Sequence, residues 1–334
     1  MPLPPARRAP TLGDVAAAAG VSKALASLAL RGADGPSAAS RARVEEVAAR
    51  LGYRADRAAS LLARRRSHLL GVVMQVRSSY HAELVDHVQA AADEAGYEMV
   101  LSPVTRTHDE ERAVRTLLDE RCEALLLLGP DAPTARLQAL AAERAVVAVG
   151  RRTSAPGVDV VRSADDVGVG LVVAHLAGLG HRELALVGGG SGVIARDRRR
   201  GFEQAARASG LRGRVLPGGS TEEDGASAAR ALMGGGTTAV VAQNDRVALG
   251  VLDVLARAGV DVPGALSVTG YDDSALARLA HVDLTTVDQG AEAQARAAVA
   301  AAVERLDGGR TARREVVVEP RLVVRGTTGP APHD

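Results

Sequence analysis

The sequence predicts a small all-α head followed by a larger, two-lobed α/β core with parallel, doubly wound sheets. Two patterns carry this prediction. Between residues 11 and 52, apolar residues recur at helical spacing around short polar turns. From Leu69 onward, continuous apolar runs such as LLGVVMQV alternate with helical stretches such as HAELVDHVQAAADEAG, as in a parallel sheet covered by helices. Because the roughly 260 residues of this part exceed what one such sheet holds, we expect two lobes.

The head should form three short helices. Thr11 can cap the first helix, because Asp14 stands at the third position of a capping box. The other signals are a glycine stop and two serine caps, at Gly20, Ser22 and Ser37. The segment VAAAAGVS places the small residues Ala19 and Gly20 where the first two helices meet, which is typical of the helix–turn–helix that enters DNA. An ordinary helical hairpin is the alternative.

Charge is distributed unevenly along the chain. The 334 residues carry a net charge of +1, yet residues 1–66 hold 12 basic and five acidic side chains, leaving 29 basic and 35 acidic in the rest. The head therefore has a net charge of +7 and the rest of the chain a net charge of −6, which indicates that a polyanion binds the head alone. A solvated, arginine-rich tail would give the same count.

Composition limits the compartment. The single cysteine, Cys122, excludes an intramolecular disulfide framework. No apolar run approaches a membrane span, and the start MPLPPARRAP has no apolar segment of a secretory signal. We therefore expect a cytoplasmic protein, with a disordered, proline-rich tail over residues 1–10.

Several segments in order resemble the lactose-repressor (LacI/GalR) family of bacterial transcription regulators. They run from about Thr11 to Arg325 and include TLGDVAAAAGVS, HLAGLGHRELALVGG, AVVAQNDRVALGVLDVLARAG, LSVTGYDD and LTTVDQ. The resemblance implies a helix–turn–helix DNA-binding domain, a hinge helix and a periplasmic-binding-protein-like core. It also implies a homodimer on a near-palindromic double-stranded DNA operator. A small molecule between the lobes would change hinge order and thereby DNA affinity.

The resemblance also places the boundaries. They are a tail at 1–10, a helix–turn–helix domain at 11–55, a hinge at 56–67, and a core at 68–328 with lobe 1 at 68–163 and 290–318 and lobe 2 at 164–289 and 319–328. Since no leucine-rich heptads follow the last strand, we expect a dimer and not a tetramer.

The recognition helix departs from the family pattern. The base-reading positions fall on Lys23 and Ala24, and a third, where arginine is usual, falls on Leu28. Arginine can pair with guanine O6 and N7, whereas leucine offers only apolar contact, for example to a thymine methyl. We therefore expect a non-standard half-site. The DNA-contacting residues predicted in the head are Thr11, Ser22, Lys23, Ala24, Ser27, Leu28 and Arg31.

The hinge supplies three further predicted DNA contacts, at Arg57, Ala59 and Leu62. The resemblance aligns Leu62 with a leucine that wedges into the minor groove and kinks the duplex. A flexible, charged linker is the alternative.

The effector site is predicted from the same resemblance. Arg196 and Asp245 align with a ligand-contacting arginine and carboxylate, which suit a neutral polyol such as a sugar or sugar derivative. The further candidates are Gln75, Ser79, Tyr80, Phe202 and Asp272. The alternatives are that Asp245 caps its helix and that Arg196 belongs to a solvated run.

Other classes fit less well. The run LVGGGSG does not match G-x-G-x-x-G, because Val193 stands at the last glycine position, and Lys23 is the only lysine. No His/Cys set has metal spacing, so we expect no enzyme, no metal and no cofactor besides the effector. A solute-binding protein of a transport system is the remaining alternative, but the missing signal and the basic head oppose it. Whether the effector releases or promotes DNA binding stays open.

Overall fold

The computed structural model describes most of the chain as two compact units, Met1–Ser67 and His68–Asp334. The described residues are 8, 10–53, 66–188, 190, 192–233 and 235–332. The predicted tail, apart from Arg8 and Pro10, lies outside them, as do the hinge contacts predicted at Arg57, Ala59 and Leu62.

The first unit contains the three predicted helices, α1 (Leu12–Ala19), α2 (Lys23–Leu30) and α3 (Ala38–Leu51). The capping box is confirmed, since Thr11 N donates to Asp14 Oδ2 at 2.7 Å and Asp14 N donates back to Thr11 Oγ1 at 3.3 Å. Ala16, Ala19, Ala26 and Ala29, at most 3% exposed, line the helix contacts. Their small side chains let the three helices approach closely around Val15, Val44 and Val47.

The second unit alternates strands and helices. In chain order its elements are β1 (Leu69–Gln75), α4 (Ser79–Glu94), β2 (Glu98–Val104), α5 (Glu110–Asp119), β3 (Ala124–Leu128), α6 (Thr134–Glu143), β4 (Ala145–Val149), β5 (Val158–Ser163), α7 (Asp165–Gly178), β6 (Glu183–Val187), α8 (Val193–Ala208), β7 (Arg212–Leu216), α9 (Glu222–Leu232), β8 (Ala239–Ala242), α10 (Asp245–Arg257), β9 (Ser267–Thr269), β10 (Thr286–Asp288), α11 (Ala291–Leu306), β11 (Glu315–Val318) and β12 (Arg321–Val323).

Two parallel sheets form two lobes, as predicted. Lobe 1 has the strand order β11-β5-β4-β3-β1-β2 and lobe 2 the order β7-β6-β8-β9. β10 and β12 pair antiparallel as a separate ribbon. The chain therefore passes between lobes after β5, after β10 and between β11 and β12. The run EVVVEPRLVVR is divided at this last crossing into β11 and β12.

Strand β5 was missed in the sequence because charged residues interrupt it, yet all six of its residues are buried. Asp159 accepts hydrogen bonds from Arg305 Nε and Arg310 Nη2, both at 2.7 Å. Arg162 Nε donates to Glu315 at 2.9 Å. Burial disfavours the charged form of Asp159, but the two arginines outweigh it and lower its pKa. Paired charges thus occupy positions where the sequence pattern requires apolar side chains.

Two glycines allow α9 and α10 to pack closely, and α10 borders the site described below. A Cβ on Gly250 would overlap the backbone oxygen of Glu222, and one on Gly225 would overlap that of Val247. Helices α9 and α10 therefore cross at backbone contact, which a side chain at either position would prevent. No single helix among the described residues is long and apolar enough to cross a membrane. The helices α1 and α2 together have the length and composition of a span, but the angle between them is 102°.

Candidate ligand cavity and DNA-reading helix

A cavity of about 770 Å³ lies between the two lobes. Its walls are the loops that follow the carboxyl ends of parallel strands, where ligands bind in such folds. The lining comes from both sheets: 75, 77–81 and 84 after β1, 129–131 after β3, 149–151 after β4, 190, 192–196 and 198 after β6, 219–221 after β7, 243, 244 and 246 after β8, and the single residues Asp272 and Gln289. Five predicted effector residues line it, namely Gln75, Ser79, Tyr80, Arg196 and Asp272.

Arg198 is a buried cation of this lining, with a side chain only 8% exposed. Its Nε donates to Asp165 Oδ1 at 2.9 Å and its Nη1 donates to the backbone oxygen of Gln243 at 2.6 Å. The guanidinium also lies 3.7 Å from the centre of the Tyr271 ring and 3.7 Å from Asp272 Oδ1. Burial disfavours its charge, yet the carboxylates of Asp165 and Asp272 prevail and raise the pKa of Arg198. This arginine stays charged and anchors the lobe 2 wall.

Asp272 faces the cavity beside Arg198. Its Oδ1 accepts from Gln289 Nε2 at 2.7 Å, and burial raises its pKa well above the ordinary value. Burial also raises the pKa of Asp165. Asp165 lies closer to the Arg198 guanidinium than Asp272 does, so we assign the negative charge to Asp165 and the proton to Asp272. Asp272 can then either accept or donate a hydrogen bond to a ligand.

Tyr80 connects this end of the cavity to lobe 1. Gln294 Nε2 on α11 donates to the Tyr80 hydroxyl at 2.7 Å and to the backbone oxygen of Gln289 at 2.9 Å. Gln289 follows β10 and belongs to the segment between the lobes. A buried chain of hydrogen bonds therefore runs from α4 through the crossing to Asp272.

Asp245 does not line the cavity as predicted. It is fully buried, and its two carboxylate oxygens accept from the Ser274 N–H at 2.7 Å and from the Thr286 hydroxyl. The alternative, a helix cap, is also wrong, because the cap of α10 is Asn244, whose Oδ1 accepts from Val247 N at 2.9 Å. Asp245 braces the wall from behind, so any influence on a ligand passes through its neighbours.

Phe202 is likewise placed elsewhere than predicted. It is 0% exposed and packs in the lobe 2 core against residues of α7, β6 and β8. Its ring is on the face of α8 that turns toward the sheet. It supports the helix that carries Arg198 and does not reach the cavity.

The sequence contained a signal for Arg198. On α8 the buried residues Ala195, Arg198, Phe202 and Ala206 recur at helical spacing, which puts Arg198 on the inner face. Arg196 is two positions away and exposed at the cavity edge. The other lining residues missed by sequence reasoning include Arg151, Gln243, Asn244, Arg246 and Gln289.

Burial of Asp245 makes a pH-dependent prediction. Burial raises its pKa to about 6, above the value of about 3.9 in an unfolded chain. The folded chain therefore keeps a proton that the unfolded chain loses, so this contribution to stability is present at low pH and is lost as the pH rises through about 6. In Asp245→Asn that loss should vanish. Relative to the unmodified chain, the variant should gain about 1 kcal/mol of unfolding free energy between pH 5 and pH 8.

Urea unfolding at a series of pH values measures this gain. Asp253→Asn on the same helix is the matched control, because Asp253 is 57% exposed. Parallel stability curves for Asp245→Asn and the unmodified chain between pH 5 and pH 8 would contradict the prediction.

The predicted reading face of the head lies on α2. Ala26 and Ala29 turn inward, with at most 1% exposed, whereas Lys23 and Ala24 are exposed. Leu28 lies one turn beyond Ala24 on the same side and is half-buried.

The polar residues predicted to contact DNA are engaged locally. Ser22 Oγ accepts from Leu25 N at 3.1 Å, and the Thr11 hydroxyl donates to Asp14 at 2.7 Å. Arg31 Nε donates to the backbone oxygen of Ser27 at 3.0 Å. Their DNA contacts remain predictions.

Comparison with known proteins bears on both units. The family model of bacterial regulatory proteins of the lacI family matches residues 11–56, and that of a periplasmic binding protein-like domain matches residues 173–328. The HTH-type transcriptional regulator CelR of Thermobifida fusca is 31% identical over 96% of this chain and 98% of its own. A complex of a transcriptional regulator CelR with cellobiose has a TM-score of 0.71 at 29% identity, over 95% of this chain and 99% of that one.

Two further solved structures are similar. A LacI transcriptional regulator from a Rhodococcus species is 45% identical with a TM-score of 0.77, over 79% of this chain and 100% of that one. The lac repressor dimer bound to operator and the anti-inducer ONPF is 27% identical with a TM-score of 0.83, over 96% of this chain and 100% of that one. A helix–turn–helix head on a two-lobed core with a cavity defines a DNA-binding transcriptional regulator that responds to a small molecule. The chain belongs to the LacI family of bacterial regulatory proteins.

Proposed function

We propose that this regulator is a repressor that binds a near-palindromic operator as a homodimer in the cytoplasm. A carbohydrate or carbohydrate derivative bound between the lobes controls its operator affinity. It requires no other cofactor and catalyses no reaction. The cellobiose bound to a CelR regulator and the operator bound to the lac repressor dimer support this assignment.

The observation that carries the proposal is that hydrogen-bonding groups from both lobes converge on one cavity. Gln75 and Ser79 come from lobe 1, and Arg198, Asn244 and Asp272 from lobe 2. A ligand that forms hydrogen bonds with both walls favours one relative position of the lobes. It changes DNA affinity if the lobes take different positions in the DNA-bound and the DNA-free protein. The basic helix–turn–helix head disfavours the alternative of a solute-binding protein of a transport system.

Selection of duplexes from a random library with the full-length chain tests the DNA function. We expect a palindrome, because two identical heads bind symmetric half-sites. With about three phosphate contacts per protomer, log affinity should fall with log salt concentration with a slope of about −5. Sedimentation should show a dimer.

A shuffled duplex of the same composition is the control, since it retains only nonspecific binding. Failure to enrich any palindrome, or a slope near zero, would argue against an operator-binding repressor. A stable tetramer would contradict the expected assembly.

A further inference from the structure

Arg151 is a cation in the lobe 1 wall of the cavity, in the loop after β4. The residue is only 5% exposed, and its guanidinium donates to backbone carbonyls alone: Nη1 to Pro130 at 2.6 Å and to Ala132 at 3.2 Å, and Nε to Arg152 at 3.2 Å. Among the described residues, no carboxylate oxygen lies within 4.0 Å of it. Burial lowers the pKa of Arg151. The wall thus holds a buried positive charge without an ion pair.

A second cation approaches from the other lobe. Arg196, in the first turn of α8, lines the same cavity, and its charge also lowers the pKa of Arg151. The carboxylates of Asp131, Glu110 and Asp197 attract Arg151, but each acts from beyond ion-pair distance. Two like charges from opposite lobes therefore face one part of the cavity.

Three further arginines of the lining pair with carboxylates. Their partners are Glu223 for Arg77, Asp165 for Arg198 and Glu222 for Arg246. His81 adds no charge near neutral pH, because burial lowers its pKa to about 4 and its Nδ1 accepts from Gln75 N at 3.1 Å. The unmatched positive charge is thus concentrated at Arg151.

There is also room for a ligand at this point. Gly150 lines the cavity beside Arg151, and a Cβ built on it would meet no heavy atom within 4 Å. The bonds to Pro130, Ala132 and Arg152 use Nε–H and both Nη1 hydrogens of Arg151, so the two hydrogens of Nη2 are left to bind an oxygen of a carboxylate or phosphate. Burial of a cation costs least when such an anion is bound to it.

We infer that the effector is an anion: a hydroxylated molecule that bears one carboxylate or phosphate group, whose oxygens bind between Arg151 and Arg196. This inference rests on the proposed function and narrows its ligand class. It replaces the neutral polyol that the sequence pattern suggested. The anionic group binds residues of both lobes and so favours their closure.

Thermal unfolding and calorimetry of the full-length protein test this inference with matched probes. The pairs are glucose with gluconate and with glucose 6-phosphate, and cellobiose with cellobionate; inorganic phosphate serves as the bare anion. All are compared at constant ionic strength. We expect phosphate to raise the melting temperature, and at least one acid to bind at least about tenfold more tightly than its neutral partner.

Three substitutions locate the anion. Because Arg196 is exposed, the Arg196→Gln variant should fold. It should bind the acid less tightly relative to the neutral sugar than the unmodified protein does. Arg151→Lys keeps the charge and should retain the preference, whereas Arg151→Gln should abolish it. Arg152→Gln is the matched control. Arg152 is the next residue and has the same charge, but it forms ion pairs with Asp166 and Asp197.

Two results would overturn the inference. One is that neutral members bind as tightly as their acids; the other is that neither phosphate nor any acid changes the melting temperature. If a selected palindrome is released by a neutral sugar alone, the inference fails and the proposed function stands. Failure to select a palindrome would instead reject the proposed function.

Discussion

Replacing Arg198 by methionine should destabilise the core by about 3–5 kcal/mol, because it leaves carboxylates buried without their cation. Among the described residues, Arg198 is the only cation within 4.0 Å of the Asp165 carboxylate, and it also binds the loop after β8 through the Gln243 backbone. Methionine fills a similar volume but makes none of these hydrogen bonds. Burial would then hold protons on both Asp165 and Asp272.

Urea unfolding of the full-length chain measures this loss. Arg199→Met is the matched control, since Arg199 is 52% exposed and pairs with Glu203 one turn away on the surface, and we expect it to cost less than about 0.5 kcal/mol. A triple variant that adds Asp165→Asn and Asp272→Asn should recover part of the stability, because the amides are neutral at every pH and need no protonation to stay buried.

The triple variant also separates stability from ligand binding. It restores folding without restoring the guanidinium, so it should bind the selected operator and fail to respond to an effector. Equal stability of Arg198→Met and Arg199→Met would show that the buried ion pair does not hold the wall. An intact effector response in the triple variant would remove Arg198 from the ligand site.

Local signals in the sequence predicted the head well. The capping box of Thr11 and Asp14 and the serine caps at Ser22 and Ser37 are confirmed, because each depends on residues within one helical turn. The two-lobed, parallel architecture is also confirmed, since continuous apolar runs mark buried strands. Strand β5 was missed because its polar residues are paired with groups about 150 positions away, which no local pattern reveals.

The cavity was predicted less completely. Strand–loop order indicates which loops meet at a carboxyl edge, but it does not decide which of two neighbouring side chains points inward. Asp245 directly follows Asn244, yet Asn244 lines the cavity and Asp245 lies behind it. Arg196 and Arg198 differ by two positions on a helix, so one is exposed and the other buried. The unmatched charge of Arg151 depends on three-dimensional distances to carboxylates, which the sequence does not contain.

Replacing Leu28 by arginine should change which operator is bound. Leu28 occupies the outward face of α2 with Ala24, so the new guanidinium would enter the groove where the family usually reads a base. A bidentate contact with guanine O6 and N7 should favour one guanine per half-site by about 1–3 kcal/mol, or about 5- to 150-fold. The unmodified chain should instead prefer an A·T pair there, with Leu28 against the thymine methyl.

Selection from the same random library, run in parallel for both proteins, measures this shift base pair by base pair. Ala49→Arg is the control, because it adds the same charge at an exposed site on α3, where it can raise phosphate affinity but reads no base. A guanine preference already present in the unmodified chain would show that Arg31 or Lys23 supplies the missing contact. If Leu28→Arg and the unmodified chain select the same half-site, position 28 does not face the bases, and the apolar recognition helix determines specificity through the shape of the duplex.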